Sequence, residues 1–135
     1  MSLSGWVCVV TGASRGIGKG IALQLSEAGA TVYITGRCEK TLNETAAEVK
    51  ERGGNCVPVK CDSTKDQDIE ELFEQIKREQ HGRLDILVNN AYAGVQVDNI
   101  NIPFWETDPS MWDTINNTGL SHHFIYGWAA CGRFI

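Results

Sequence analysis

Residues 7–18, Val-Cys-Val-Val-Thr-Gly-Ala-Ser-Arg-Gly-Ile-Gly, pass from a β-branched strand through a glycine-rich turn into the start of a helix. A helix beginning at a strand end aims unpaired N–H groups and a positive dipole at one spot, where a pyrophosphate can sit. Gly12 permits the tight turn, and Gly16 lets a phosphate approach the backbone without meeting a Cβ. Gly18 allows close helix–sheet packing, and Ser14 offers a phosphate-binding hydroxyl. Two rival chemistries use similar loops. A phosphate loop needs glycine at Ala13 and Ser or Thr at Gly20. Gly12-Ala13-Ser14-Arg15-Gly16 also spells a nucleophile elbow, but here the elbow is the first loop, with none before it to supply an oxyanion donor.

The rest of the sequence narrows the class. Its 135 residues fit one domain, read as 1–135, and hardly two. Twelve Lys and Arg against seventeen Asp and Glu leave a net charge of −5, which argues against nucleic-acid or membrane-surface partners. No apolar run reaches bilayer length, and the first strand starts too early for a signal peptide, so an intracellular protein is expected. The five cysteines, Cys8, Cys38, Cys56, Cys61 and Cys131, are odd in number and lack CxxC spacing. Reduced thiols are expected, with neither a disulfide framework nor a metal site.

Strand and helix signals alternate, as in parallel βαβ units. Trp6–Val10 reads as the first strand. A helix from about Ile17 to Ala28 follows, with Ile17, Ile21 and Leu25 on its inner face and Gly29 as its C-terminal stop. Thr31–Thr35 is the second strand, and Leu42, Ala46 and Val49 mark a helix ending at Gly53-Gly54. Cys56–Lys60 is the third strand, and Pro58 restricts it to a sheet edge. Ile69, Leu72, Phe73 and Ile76 form the inner row of another helix. Leu84–Val88 reads as a strand buried on both faces. A loop over Asn90–Thr107 leads to Asp108-Pro109, a cap followed by proline at the first helical position. One last helix is expected through Trp112 and Ile115 towards Tyr126. The predicted fold is α/β: a Rossmann-type doubly wound parallel sheet, strand order 3-2-1-4, with helices on both faces.

Several motifs now stand in order: Thr11-Gly12-x-x-x-Gly16-x-Gly18, Asp62 after the third strand, Asn89-Asn90-Ala91 closing the fourth, and Trp112-Asp113 opening the last helix. Over roughly residues 5–120 the sequence resembles the short-chain dehydrogenase/reductase family. Asn89-Asn90-Ala91-Tyr92-Ala93-Gly94 lengthens that family's usual Asn-Asn-Ala-Gly. The resemblance implies an oxidoreductase of carbonyl and alcohol compounds, with cofactor contacts at Gly12, Ser14, Arg15, Gly16, Ile17, Gly18, Arg37, Asp62, Asn89 and Ala91. Asp62 is implied to hydrogen-bond the adenine amino group, although Asp62, Ser63 and Thr64 also compete to cap the following helix, with Asp66 or Gln67 completing a capping box. The second strand runs into Gly36-Arg37, with no acid to hold the 2′-OH of NAD, and Arg15 adds a second guanidinium. NADP(H) is therefore expected over NAD(H).

The family's proton transfer uses a tyrosine with a lysine four residues on, one helical turn away, and a serine that orients the carbonyl. Here Tyr33 is followed by Arg37, Tyr92 by Gln96 and Tyr126 by Ala130, so none has its lysine. The family's last-helix asparagine falls in register at Gly119. Asn117 lies about 200° round the helix from it, while Asn116, one turn away, is the weak substitute. His122-His123 point about 100° apart, with no ligand partner at spacing, and read as a surface pair. After Leu120 the text departs from the family, so residues 119–135 read as an atypical, truncated end. Two functions stay open. One is the NADP(H)-binding half of a reductase, taking a small carbonyl substrate only if completed by a second half. The other is a non-catalytic nucleotide-binding or interaction isoform, forming a homo- or heterodimer through the last helix, which the resemblance places at the dimer interface. Cytoplasmic or endoplasmic-reticulum association is implied by resemblance alone.

Overall fold

The computed structural model describes residues 2–93 and 101–135. Its elements are β1 (Val7–Val10), α1 (Gly16–Glu27), β2 (Thr31–Gly36), α2 (Glu39–Glu51), β3 (Asn55–Lys60), α3 (Asp66–Glu79), β4 (Ile86–Val88), α4 (Ser110–Thr118) and α5 (Leu120–Phe134), with a 3₁₀ turn at Phe104–Glu106. The four strands are parallel and ordered β3-β2-β1-β4, as expected. Part of the expected Asn90–Thr107 loop, residues 94–100, lies outside the described residues.

The period of two along each strand builds two cores. Cys8, Val10, Val32 and Ile34 face α1 and α2, meeting Ala22, Leu23, Leu42, Ala46 and Val49. Val7, Val9 and Tyr33 face the other way, onto Ile69, Leu72, Phe73 and Ile76 of α3 and Tyr126, Ala129 and Ala130 of α5. Helices thus cover both faces. Pro58 sits opposite Ile34 on the edge strand β3, where its missing N–H costs no ladder bond on the outer side. Gly29, at φ +101°, ends α1, and its amide and that of Ala30 fold back to the carbonyls of Ser26 and Leu25. The Asp108 carboxylate accepts the Ser110 amide at 2.8 Å, the expected cap of α4.

Five expectations need correction. Ile17 is 77% exposed, because Gly18, Ala22 and Ser26 form the row of α1 that meets the sheet. The fourth strand is shorter than Leu84–Val88: it spans Ile86–Val88, and just before it Asp85 pairs with Val7 through its own amide (2.8 Å) and through its carboxylate (2.8 Å). Its residues are half-buried rather than enclosed on both faces, because β4 lies at a sheet edge. The last helix is broken: Gly119, with φ −96° and ψ −103°, separates α4 from α5. The amide reached from within α3 is that of Asp62, and the reaching carboxylate is Asp68 (2.9 Å), not Asp66 or Gln67.

Candidate dinucleotide site

Strand order reverses beside β1, between β2 and β4, so a crevice opens at the carboxyl ends of these strands. A cleft of ≈ 330 Å³ lies there, walled by the loops that leave all four strands. Gly12, Ser14, Arg15, Gly16 and Ile17 come from the β1–α1 turn, Gly36 and Arg37 from the end of β2, and Asp62 from the end of β3. Ala91 follows β4.

The three glycines have distinct duties. Gly12 has φ +64°, and a Cβ there would stand 2.8 Å from the Ala91 Cα. A Cβ on Gly18 would collide with the Gly12 carbonyl oxygen and stand 2.5 Å from Asn90 Nδ2, so this glycine is buried beneath the cleft rather than in its lining. Gly16 has φ +60° and nothing within 4 Å of its missing Cβ, leaving bare backbone at the start of α1. No side chain caps that helix start, and its first turn holds no acid. Its leading N–H groups therefore remain available to an anion. The turn itself is anchored: the Ala13 amide donates to the Thr35 carbonyl (3.0 Å), and the Thr45 hydroxyl to that of Ser14 (3.0 Å).

Across the cleft, Thr11 holds the β4 rim. Its Oγ1 accepts the amides of Asn90 (3.0 Å) and Ala91 (2.9 Å) and donates to the Val88 carbonyl (3.3 Å). Asn90 Nδ2 donates to the carbonyls of Thr11 (3.0 Å) and Gly12 (3.1 Å), tying the rim to the glycine turn. Asn89 is exposed, and its side chain turns away to donate to the His123 carbonyl at 3.3 Å.

At the far end, Asp62 Oδ1 accepts the amide (2.9 Å) and hydroxyl (2.7 Å) of Thr64. Those bonds hold the Asp62 carboxyl below the usual carboxylate range, with Lys65 and Arg37 adding to the effect. Arg15 and Arg37 are both exposed, and neither joins an ion pair among the described residues.

The chain belongs to the short chain dehydrogenase family. That family's profile matches residues 6–131. Human "Dehydrogenase/reductase SDR family member 1" is 62% identical over 130 residues, which cover 93% of this chain and 42% of the relative. The mouse protein of the same name is 62% identical over 125 residues, covering 91% and 40%. The chain thus spans less than half the length of these relatives. Among solved structures, a metagenomic short-chain oxidoreductase in complex with NADP superposes with a TM-score of 0.86 at 34% identity, covering 98% of this chain and 58% of that one. A dehydrogenase/reductase from Sinorhizobium meliloti 1021 gives 0.87 at 29% identity, covering 98% and 51%.

The family's Tyr-x-x-x-Lys spacing does not occur in this sequence. Tyr126 is wholly buried, its ring edge-on to Phe73, and its hydroxyl lies 3.0 Å from Ser63 Oγ and 3.3 Å from Cys61 Sγ. Burial pushes that phenol well above its ordinary range. Asn116 donates its amide to the Trp112 carbonyl (2.7 Å) on its own helix and lies outside the cleft. The histidines are not a surface pair. His122 is buried, with Nε2 3.6 Å from Asp66 Oδ1 and Nδ1 without a partner among the described residues. His123 Nε2 meets the Ala91 carbonyl at 2.8 Å. Sequence reasoning also passed over Cys61, Ser63, Thr64, Tyr92 and Thr118 in naming site residues, all of which line the cleft. Thr118 comes from α4, and no local pattern marks a helix residue brought to the cleft by tertiary packing.

Proposed function

We propose that the cleft binds NADP(H), and that the chain supplies the cofactor half of an oxidoreductase acting on carbonyl and alcohol compounds. The observation carrying this is the bare backbone of Gly16 at the uncapped start of α1, opening onto a cleft at the strand ends. A pyrophosphate needs such a cradle, and a Cβ would fill it. Gly12, Ser14, Gly16 and Gly18 shape the cradle, while Ile17 offers an exposed apolar side chain at its mouth. Asp62, Asn90 and Ala91 flank the remainder, Asp62 taking the adenine amino group.

Arg15 and Arg37 favour the 2′-phosphate. Two guanidiniums without carboxylate partners among the described residues can both turn to one dianion, and no acid stands at the end of β2 to take a 2′-hydroxyl. The cofactor, when bound, supplies hydride chemistry. The 135 residues bind and orient it but hold no Tyr-x-x-x-Lys to move the proton, so turnover is expected only with groups supplied from elsewhere. Titrating the chain with NADPH and NADH, following nicotinamide fluorescence, tests the reading. Saturable binding with NADPH preferred supports it, and the absence of binding to either nucleotide overturns it.

A second reading rests on α5. Leu120, Phe124 and Trp128 are 75%, 74% and 63% exposed on one side of this helix, beside a sheet whose edge strand β4 has one neighbour among the described residues. A nucleotide-binding isoform that pairs with a longer relative through α5 would cover that face.

A further inference from the structure

β4 is three residues long and lies at the edge of the sheet, so the rim that follows it, Asn89 to Tyr92, has little ladder of its own. Bonds from two sides fix it instead. On the β1 side, Thr11 Oγ1 takes the Asn90 and Ala91 amides. On the opposite side, the Ala91 carbonyl meets His123 Nε2 at 2.8 Å, and Asn89 Nδ2 reaches back to the His123 carbonyl at 3.3 Å. A carbonyl can only accept, so Nε2 carries the proton and the imidazole is the donor.

We propose that His123 is a positioning residue for the cofactor cleft, holding the Ala91 peptide in place where it packs on the glycine turn and lines the cleft. This rests on the cofactor reading above. Ala91 packs directly against Gly12, with no room for a Cβ between them, and both residues line the cleft. Moving the Ala91 peptide therefore changes the floor on which the dinucleotide would lie. His123 sits on α5, and α5 is itself fixed to the facing rim one turn later, where the Tyr126 hydroxyl meets Ser63 and Cys61 beside Asp62. One helix thus references both rims. A His123 without its side chain leaves the Ala91 carbonyl unpartnered on that side, while the Thr11, Asn90 and Asn89 bonds to the rest of the rim remain.

Three forms of the full 135-residue chain test this: wild type, His123→Ala and His123→Gln. Gln is chosen because its amide can donate to the same carbonyl. Hydrogen exchange at the Ala91 and Asn90 amides is the first measurement and needs no nucleotide. His123→Ala is expected to speed exchange at these two amides while β1 amides keep wild-type rates, and His123→Gln to restore much of the protection. The second measurement is NADPH affinity, expected to fall roughly five- to tenfold in His123→Ala and about twofold or less in His123→Gln. Unchanged rim exchange in His123→Ala overturns the positioning role, whatever the nucleotide does. Faster exchange with unchanged NADPH affinity overturns its link to the cofactor. Failure of the wild type to bind either nucleotide, with rim exchange as expected, overturns the cofactor reading and leaves the contact purely structural.

Discussion

Gly12 and Ala91 approach so closely that a Cβ on Gly12 would stand 2.8 Å from the Ala91 Cα, whereas the missing Cβ of Gly16 faces open space. Both glycines have positive φ, +64° and +60°, so alanine carries a similar backbone strain at either position, about 1–2 kcal/mol. Gly12→Ala must in addition push the β4 rim off the glycine turn. Its expected loss of stability is therefore the larger, roughly 2–4 kcal/mol, against about 1–2 kcal/mol for Gly16→Ala. Gly16→Ala puts a methyl where the pyrophosphate is proposed to lie and should abolish NADPH binding while the fold survives. Urea unfolding beside NADPH titration separates the two effects. Equal stability losses, or NADPH binding by Gly16→Ala, would contradict this division of labour.

Arg37 gives a cleaner test, because it is exposed and unpaired among the described residues. Arg37→Glu removes one guanidinium from the proposed 2′-phosphate position and adds an acid that can accept from a 2′-hydroxyl. NADPH affinity should drop by roughly tenfold or more and NADH affinity should hold or rise, with the melting temperature unchanged. A variant that weakens both nucleotides equally would mean that Arg37 does not read the 2′ position.

The parts of this fold that were legible in sequence are those with local causes. The glycine turn, the Gly29 stop, the Asp108 cap and Pro58 at an edge each follow from what one residue does to its own backbone. Strand order and helices on both faces follow from the alternation of elements. What escaped was set by partners distant in sequence. Ile17 has the right spacing for the inner face of α1, but Gly18 fixes which face meets the sheet. The Asp85 carboxylate takes the Val7 amide, a side-chain bond just before β4 to a residue distant in sequence. His122 and His123 look like a solvated pair until α5 is laid against the β4 rim and the start of α3. Asn89 and Asn90 are chemically identical, yet one turns to α5 and the other ties the β4 rim to Thr11 and Gly12.

Asp85 predicts an acid-sensitive step. Its carboxyl is held below the usual carboxylate range, first by the Arg83 guanidinium (2.8 Å) and then by the Val7 amide (2.8 Å), against the opposing effect of partial burial. A group whose folded-state pKa is depressed stabilises the fold fully above its unfolded value, about 3.9, and loses that contribution as pH falls through the folded value. Asp85→Asn keeps an acceptor for Val7 but has no charge to titrate. Wild type should be more stable than the variant at pH 7, and the difference should shrink towards zero as pH drops below about 4. Urea unfolding across that range measures it. A difference independent of pH would show that the contact contributes through shape and hydrogen bonding, not charge.

The outer side of α5 carries the last prediction. Leu120, Phe124 and Trp128 follow one another at spacings of four, and all three are more exposed than apolar side chains of a well-covered helix. The inner side of the same helix is anchored by Tyr126, Ala129 and Ala130 in the core and by Arg133 on Glu74 (2.7 Å), so α5 cannot roll to hide the stripe without breaking that packing. Beside it, β4 leaves an unpaired edge among the described residues. Such a surface favours association with whatever apolar face is present, and for an isolated chain that is another copy. Sedimentation velocity should show mass above the monomer, rising with concentration. Leu120→Glu, Phe124→Glu and Trp128→Glu together should return the chain to a monomer while NADPH binding persists, because none of the three lines the cleft. A wild type that stays monomeric at high concentration would mean that the stripe is tolerated in water.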